Sequence, residues 1–383
     1  MTTTLVITPS SIISTYCHSI FRIEPASYCT FSCIYCYARW YRQENDKLTI
    51  RHIREFKKFI KYLIKNKIDK VPVFRLSTLV EPFQNDEKCL TRALNILDFC
   101  IEYEIPLIIN TKSDNILKED VMNRIIKLND KGLVIVQISI CSLNEELCKK
   151  LEPNAPSPQR RLNIIEKLID NDVPTVVRYQ PLIPTVADLE YVDIVEMLHN
   201  LHVRHIIVEA LRLDFKTFQI IKNIISSDVK FVPYVEHTGI GILAPCREWR
   251  INVELKIREL CIRKSIEFAV CKEDTFYLTT SPDCCGVYLM KTDKAVRKVT
   301  ILDIYRMCKG QDVPDTLDKL KIFVDTFQRD LRLMTFEYIE KLPKSIRKYL
   351  KWHHKLLIKH VTKLLTHIHD EEKRVMNTPQ PER

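Results

Sequence analysis

The chain has 383 residues, and its 59 lysines and arginines exceed its 49 aspartates and glutamates, which gives a formal net charge of +10 at pH 7. This length is enough to bury a large core, and the basic excess favours a polyanionic partner. No uninterrupted apolar run is long enough to cross a bilayer, and the Met-Thr-Thr-Thr-Leu start lacks the basic segment of a secretory signal. We therefore expect a cytoplasmic protein without a membrane partner, in which the 14 cysteines are reduced.

The first two-thirds of the chain alternates short β-branched runs with longer segments of helical periodicity. This pattern is typical of βαβ units around a parallel sheet and predicts an α/β fold. The predicted strands are residues 20–23, 71–76, 106–111, 134–140, 175–179 and 206–210. The predicted helices between them are amphipathic and comprise residues 50–67, 89–104, 115–130, 159–171 and 189–201.

Three cysteines follow the first predicted strand in the segment YCTFSCIYCY, residues 28–37, at C-x3-C-x2-C spacing. Three thiolates on one tight loop can hold three corners of a four-iron cubane and leave the fourth iron open for chemistry. A zinc site and three buried core cysteines are the alternatives. A structural zinc needs four ligands, however, and no Cys or His pair lies nearby at zinc-finger spacing. We therefore interpret Cys29, Cys33 and Cys36 as ligands of a [4Fe–4S] cluster.

This spacing, with an aromatic residue before the third cysteine, resembles the signature of the radical S-adenosylmethionine (radical SAM) superfamily. The resemblance implies a partial (β/α)6 TIM-like barrel, in which functional residues lie on the loops after the strands. It also implies that the open iron binds S-adenosylmethionine and that an electron from a flavodoxin- or ferredoxin-like donor splits it. The resulting 5′-deoxyadenosyl radical would remove a hydrogen atom from an unactivated carbon.

Within the superfamily, the sequence resembles the branch of spore photoproduct lyase and DNA-photolyase-like proteins. The shared motifs occur in order along residues 20–184: CIYCYAR (33–39), EPFQ (81–84), TKS (111–113), QISI (137–140), LEPNAP (151–156), RRL (160–162) and PLIP (181–184). The lyase carries a hydrogen-donating cysteine on its second strand, where this sequence reads FRLSTL (74–79). Return of the hydrogen would thus fall to Tyr35, to Tyr37 or to a cysteine elsewhere.

Polar residues at successive strand ends are the predicted cofactor ligands. Ser77 and Glu81 follow the second predicted strand, Lys112 follows the third, and Ser139 ends the fourth. A carboxylate at this rim can accept from the cofactor's ammonium, and a lysine can bind its carboxylate. A helix-capping loop around Glu81 and a solvated Lys112 are the alternatives. Two tyrosines that flank the third cysteine, Tyr35 and Tyr37, complete the predicted set.

A second cysteine-rich part follows the barrel, and we divide the chain into a radical SAM partial barrel (1–243), a cysteine-rich extension (244–310) and a basic helical region (311–383). Cys246, Cys271, Cys284 and Cys285 form a possible second metal site, either an auxiliary iron–sulfur cluster or zinc. Buried core thiols are the alternative, since cysteine is among the most buried residue types.

The final region has lysines at steps of three or four, so they share one face of a helix, opposite an apolar face of Ile346, Leu350, Leu357, Val361, Leu364 and Ile368. The predicted nucleic-acid contacts on this face are Lys348, Lys351, Lys355 and Lys359. An ordinary solvated face is the alternative.

These motifs lead to one functional hypothesis and two alternatives. The leading hypothesis is a radical SAM enzyme that acts on nucleic acid in repair or modification, with a lyase-like reaction. The alternatives are an RNA- or peptide-modifying radical SAM enzyme, and a non-catalytic iron–sulfur protein that binds nucleic acid.

Overall fold

The computed structural model describes residues 14–18, 21–40, 46–234, 241–308 and 313–377, and for Leu48 and residues 362–377 it describes the backbone alone. The strands are β1 (Phe21–Ile23), β2 (Val71–Pro72), β3 (Phe74–Leu76), β4 (Leu107–Thr111), β5 (Val134–Ile140), β6 (Thr175–Leu182), β7 (His205–Ala210), β8 (Phe231–Pro233), β9 (Leu243–Pro245), β10 (Glu267–Val270) and β11 (Ala295–Val296).

The helices are α1 (Asp46–Lys65), α2 (Glu87–Glu102), α3 (Glu119–Asp130), α4 (Glu145–Leu151), α5 (Pro158–Asp170), α6 (Val186–Asn200), α7 (Phe215–Ile224), α8 (Arg247–Arg263), α9 (Ile301–Cys308), α10 (Leu317–Phe327), α11 (Phe336–Lys341) and α12 (Lys344–Asn377). None of the helices within the described residues is long and apolar enough to cross a membrane.

Seven strands form the central sheet in the order β1-β3-β4-β5-β6-β7-β10. Every neighbouring pair is parallel, and the register places Ile109 beside Val136 and Val136 beside Thr175. Parallel strands joined by helical crossovers bury both faces of a sheet. The predicted α/β fold, a partial TIM-like barrel followed by a helical C-terminal region, is confirmed.

The predicted second strand is divided between two sheets. Val71–Pro72 pairs with Ala295–Val296 in a separate two-stranded ladder, whereas Phe74–Leu76 joins the central sheet. The chain passes from the small ladder to the central sheet between Val73 and Phe74, because the Val73 N–H donates to Val296 O and the Phe74 N–H donates to Pro106 O. Of the predicted first strand, residue 20 lies outside the described residues.

A seventh strand of the central sheet was missed. Glu267–Val270 pairs in parallel with β7 and lies in the segment that was predicted to be the cysteine-rich extension. It begins with the charged residue Glu267, and its sequence EFAV does not alternate between polar and apolar residues, so the pattern did not indicate a strand.

Side chains alternate across the sheet, and one set points into the barrel. The lower layer is apolar and contains Val73, which lies between β2 and β3, and one residue from each of five strands: Ile108, Ile135, Val176, Ile207 and Ala269. Residues 281–290, which we call the plug segment, close this end of the barrel with Cys284, Cys285, Val287 and Met290. Gly286 has a φ of 79°, and a Cβ there would lie 3.0 Å from Val176 Cγ2, so glycine allows the plug segment to approach β6 closely.

The C-terminal helix α12 packs on the rest of the chain with its predicted apolar face. Ile346, Leu350, Leu357 and Val361 are all buried. The side chains of Leu364 and Ile368 lie outside the described part of the chain. His353 is also buried on this side, with Nε2 2.7 Å from Val299 O. The opposite face carries the lysines.

Candidate active site

A cavity of about 290 Å³ lies at the carboxyl ends of the barrel strands. It is lined by every residue predicted for the cluster and the cofactor, namely Cys29, Cys33, Cys36, Tyr35, Tyr37, Ser77, Glu81, Lys112 and Ser139. These residues come from four separate parts of the sequence. They meet because the ends of parallel strands lie along one edge of the barrel.

The cysteine loop follows β1 and is fastened by polar side chains of neighbouring motifs. Gln84 Oε1 accepts from the Thr30 N–H at 2.7 Å, and Asn154 Nδ2 donates to Thr30 O at 2.8 Å. Inside the loop, Arg39 Nη2 donates to Cys33 O at 2.8 Å. The backbone that carries the three thiols is therefore fixed by residues from the EPFQ, LEPNAP and CIYCYAR motifs.

The three thiols of this loop do not lie close enough together to bind a single ion. Within the part of the chain that the structure describes, the sulfurs of Cys29, Cys33 and Cys36 do not all lie within 4.8 Å of one another. A four-iron cubane binds each cysteine through a different iron, so its ligands stand further apart than those of one zinc ion. The donor set fits such a cluster.

Glu81 ties the loop after β3 to the end of β4. Its carboxylate accepts from Thr111 Oγ1 at 2.5 Å, from the Lys112 N–H at 2.8 Å and from the Phe83 N–H at 3.1 Å. Burial raises the pKa of Glu81 to about 7, although these hydrogen bonds oppose the rise. The Glu81 carboxylate therefore accepts three hydrogen bonds from the protein and also lines the cavity.

Lys112 is not a solvated lysine. Its ammonium lies 2.5 Å from Glu152 Oε1 and 2.9 Å from the Tyr35 hydroxyl, which itself donates to Glu152. Arg161 binds the other oxygen of Glu152. Burial alone would favour the neutral acid, but the charges of Arg161 and Lys112 hold the pKa of Glu152 well below its usual range.

Arg161 also connects this buried ion pair to the fourth predicted position. Its Nη1 donates to Ser139 O at 3.2 Å and its Nε to Pro156 O at 2.9 Å. Glu152 and Arg161 belong to the LEPNAP and RRL motifs, but the sequence analysis gave neither residue a role. Their positions in these two shared motifs could have identified both of them as candidate site residues.

Ser77 is oriented by Glu24, a residue that the sequence analysis missed. The Ser77 hydroxyl donates to Glu24, and the same carboxylate accepts from the Thr78 N–H at 2.9 Å and the Leu79 N–H at 3.1 Å. Burial raises the pKa of Glu24 against these hydrogen bonds. Because Glu24 comes directly after β1, its strand-end position could have identified it.

The floor of the cavity is polar and basic. Arg75 and Arg178 are buried and both donate to Gln137 Oε1, at 3.3 and 3.0 Å. Arg178 Nη2 also lies 3.6 Å from Glu209 Oε2. Arg75, Gln137, Arg178 and Glu209 each lie two positions after a residue of the apolar layer. Cys17 and Cys271 line the same cavity. The strand period predicts that the four polar residues face inward, but not that they meet.

Three of the four cysteines of the predicted second metal site, Cys271, Cys284 and Cys285, lie in one buried cluster. Cys284 and Cys285 lie together, with the Sγ atoms 3.5 Å apart, and their third neighbour is His18. Cys271 is 3.3 Å from Arg178 Nη2. Cys246 precedes α8, where its N–H donates to Lys230 O, and lies outside the group.

The predicted lysine face of α12 comprises Lys348, Lys351, Lys355 and Lys359, and all four side chains are exposed. Lys351 lies 2.5 Å from Glu340 Oε1. Trp352 lies beside these lysines with 57% of its surface exposed.

The comparisons with known proteins agree with this geometry. Residues 23–198 match the model of the radical SAM superfamily, a range that runs from the end of β1 into α6 and includes the cysteine loop. This match to residues 23–198 confirms the resemblance to the radical SAM superfamily found in the sequence.

Individual relatives are distant. The uncharacterized protein MJ0683 of Methanocaldococcus jannaschii is 29% identical over 168 residues, which are 43% of this chain and 61% of that protein. A solved structure of spore photoproduct lyase complexed with dinucleoside spore photoproduct superposes with a TM-score of 0.51 and 15% identity, over 70% of this chain and 80% of the lyase. At this identity the likeness to the lyase shows the fold alone.

Proposed function

We propose that this protein is a radical SAM enzyme that binds a [4Fe–4S] cluster and S-adenosylmethionine and acts on nucleic acid. The observation that carries the proposal is the cavity at the strand ends, where the three cysteines of one loop meet the strand-end side chains Ser77, Glu81, Lys112 and Ser139. A fold that only bound nucleic acid would not need these polar groups around a cysteine loop.

Cys29, Cys33 and Cys36 would hold the cluster. When bound, the cluster and the cofactor would together supply a carbon-centred radical that can remove hydrogen from an unactivated carbon. A flavodoxin- or ferredoxin-like protein is the proposed electron donor.

The surrounding residues would bind and orient the cofactor. Lys112 would direct its ammonium to the methionyl carboxylate, with Glu152 and Tyr35 holding the side chain in place. Glu81 and Ser139 would accept or donate hydrogen bonds at the amino group and the ribose. Tyr37 donates to Thr78 O at 3.3 Å and so connects the cysteine loop with the loop after β3.

The lysine face supports nucleic acid as the substrate class. Exposed lysines along one side of a helix suit a phosphate backbone, and an exposed aromatic ring among them suits stacking on an unpaired base. The structural likeness to spore photoproduct lyase, which was solved in complex with dinucleoside spore photoproduct, agrees with this class. Repair or modification of DNA by a lyase-like reaction is the specific form we propose.

The alternatives are an RNA- or peptide-modifying radical SAM enzyme and a non-catalytic iron–sulfur protein. Anaerobic reconstitution of the protein, followed by measurement of 5′-deoxyadenosine with DNA, RNA or no oligonucleotide, separates DNA from RNA as the substrate and a catalytic from a non-catalytic protein. Cofactor cleavage that DNA stimulates supports the proposal, and stimulation by RNA alone favours the first alternative. A protein that binds oligonucleotides but does not cleave the cofactor would be the non-catalytic one.

A further inference from the structure

The base of the barrel contains a second group of metal-ligating side chains that shares no residue with the proposed cluster. It lies where the plug segment meets the residues that precede β1. His18, Cys284 and Cys285 each offer one ligand atom, and these three atoms all lie within 4.8 Å of one another. All three side chains are buried.

The distance between the two sulfurs fits a single ion. Cys284 Sγ and Cys285 Sγ are 3.5 Å apart. In a tetrahedral site with zinc–sulfur bonds of about 2.3 Å, two thiolate ligands stand roughly 3.8 Å apart. Little movement would bring both sulfurs onto one zinc ion.

His18 provides an independent indication of a ligand. Its side chain is 2% exposed, and neither ring nitrogen makes a hydrogen bond to an oxygen or nitrogen atom of the described residues; the ring faces the Cys285 thiol instead. A buried polar group without an oxygen or nitrogen partner is costly, and native structures rarely tolerate one. Coordination of a metal by one ring nitrogen would remove this cost.

The nearest oxygen to the imidazole belongs to Asp283, whose Oδ1 lies 3.8 Å from His18 Nε2. That carboxylate is fixed by the backbone, because it accepts from the N–H groups of Cys285 at 2.9 Å and Tyr288 at 2.9 Å. These hydrogen bonds hold the carboxylate facing the imidazole, where one oxygen can complete a four-ligand set.

We propose that His18, Cys284 and Cys285 bind a structural zinc ion, with the Asp283 carboxylate as its fourth ligand. Thiolate, imidazole and carboxylate ligands all bind zinc. The ion would join the segment before β1 to the plug segment.

The site would also set the position of the cavity floor. Arg75 Nη2 lies 2.6 Å from Cys285 Sγ, and Arg75 lines the cavity above. A donor of this kind is a common outer-shell partner of a metal-bound thiolate. The zinc site would thus support the active site without taking part in its chemistry.

The test measures zinc in the full-length protein and in the variant with Cys29, Cys33 and Cys36 changed to Ala, which removes the proposed cluster. We expect about one zinc per chain in both. Changing Cys284 and Cys285 to Ser should lower the zinc affinity more than roughly a hundredfold, the upper range for outer-shell changes. The matched control is the change of Cys100 and Cys261, two buried thiols elsewhere, to Ser, which should leave zinc binding unchanged.

Cobalt(II) added alone to the cluster-free variant gives a second readout that does not require the serine variants to fold. A tetrahedral cobalt–thiolate spectrum, lost on adding zinc, is expected. The proposal is overturned if the cluster-free variant binds neither metal. It is also overturned if iron occupies the site instead of zinc, or if zinc binding survives in a folded protein with Cys284 and Cys285 changed to Ser.

Discussion

Lys112 and Glu152 form a buried ion pair in the wall of the cavity, 2.5 Å apart. Glu152 receives a second cation from Arg161, so the site holds two positive groups around one carboxylate. The cluster loop contributes to the same arrangement through the Tyr35 hydroxyl. The consequence is that a cofactor carboxylate would meet a lysine whose direction is already fixed.

Replacing Lys112 with Ala should weaken S-adenosylmethionine binding and leave the cluster in place. The loss of one charge-assisted hydrogen bond costs about 1.5–3 kcal/mol, or roughly ten- to a hundredfold in affinity. Equilibrium binding of the cofactor to the reconstituted protein measures the effect. Lys127→Ala, at an exposed site on α3, is the control and should bind the cofactor normally. Equal affinity of the two variants would exclude Lys112 from the cofactor site.

Glu81 should make the stability of the protein depend on pH. Burial raises its pKa in the folded state from 4.5 to about 7. Between these values the unfolded chain loses the proton while the folded chain keeps it, so the contribution to stability is fully present below pH 4.5 and is lost as the pH rises through about 7.

Urea unfolding at pH 5 and at pH 7.5 measures this dependence, and the Glu81→Gln variant should show a smaller decrease than the wild type. The comparison between the two proteins is needed because Glu254, with a pKa raised to about 8 by burial, contributes in the same direction. The same decrease in both proteins would contradict the assignment to Glu81.

Replacing Cys29, Cys33 and Cys36 with Ala should remove the cluster, because each change takes away one anchor of the cubane. The iron content and the absorption spectrum of anaerobically purified protein are the measurements. Cys89→Ser changes a buried thiol in the neighbouring apolar cluster and is the control. An unchanged cluster spectrum in the triple variant would contradict the ligand assignment.

The lysine face should account for a large part of oligonucleotide binding. Changing Lys348, Lys351, Lys355 and Lys359 to Gln removes four exposed charges, so binding should weaken across all sequences. The salt slope should become shallower by about 0.7 to 0.9 per lost phosphate contact. Because Lys351 is paired with Glu340, it should contribute least of the four.

The control for this experiment removes the same number of charges from scattered exposed sites, with Lys61, Lys65, Lys127 and Lys216 changed to Gln. If the two variants bind oligonucleotides alike, the lysine face is an ordinary solvated surface. A peptide or small molecule would then be the better substrate class.

The sequence predicted those parts of the fold that depend on local pattern. The central strands β4 to β7 appear close to their predicted bounds, since alternation and β-branched runs are local signals. The strand β10 was missed because its sequence EFAV does not alternate, and its place beside β7 is set by long-range packing.

In the candidate site, too, local motifs could be predicted from the sequence, whereas contacts between distant residues could not. The cysteine loop and the strand-end residues were found from motifs, and the structure places them around one cavity. The pairing of Lys112 with Glu152 and that of Ser77 with Glu24 join residues 40 and 53 positions apart. No periodicity encodes such contacts, nor the meeting of Arg75 with Cys285 across the barrel.

The central claim is that this cavity cleaves S-adenosylmethionine, and the most direct test is the yield of 5′-deoxyadenosine from anaerobically reconstituted, reduced protein. We expect 5′-deoxyadenosine from the wild type, more of it when a DNA oligonucleotide is present, and none above background from the variant in which Cys29, Cys33 and Cys36 are Ala. Wild-type protein that contains the cluster and binds the cofactor, yet yields no more 5′-deoxyadenosine than that variant, would contradict the account.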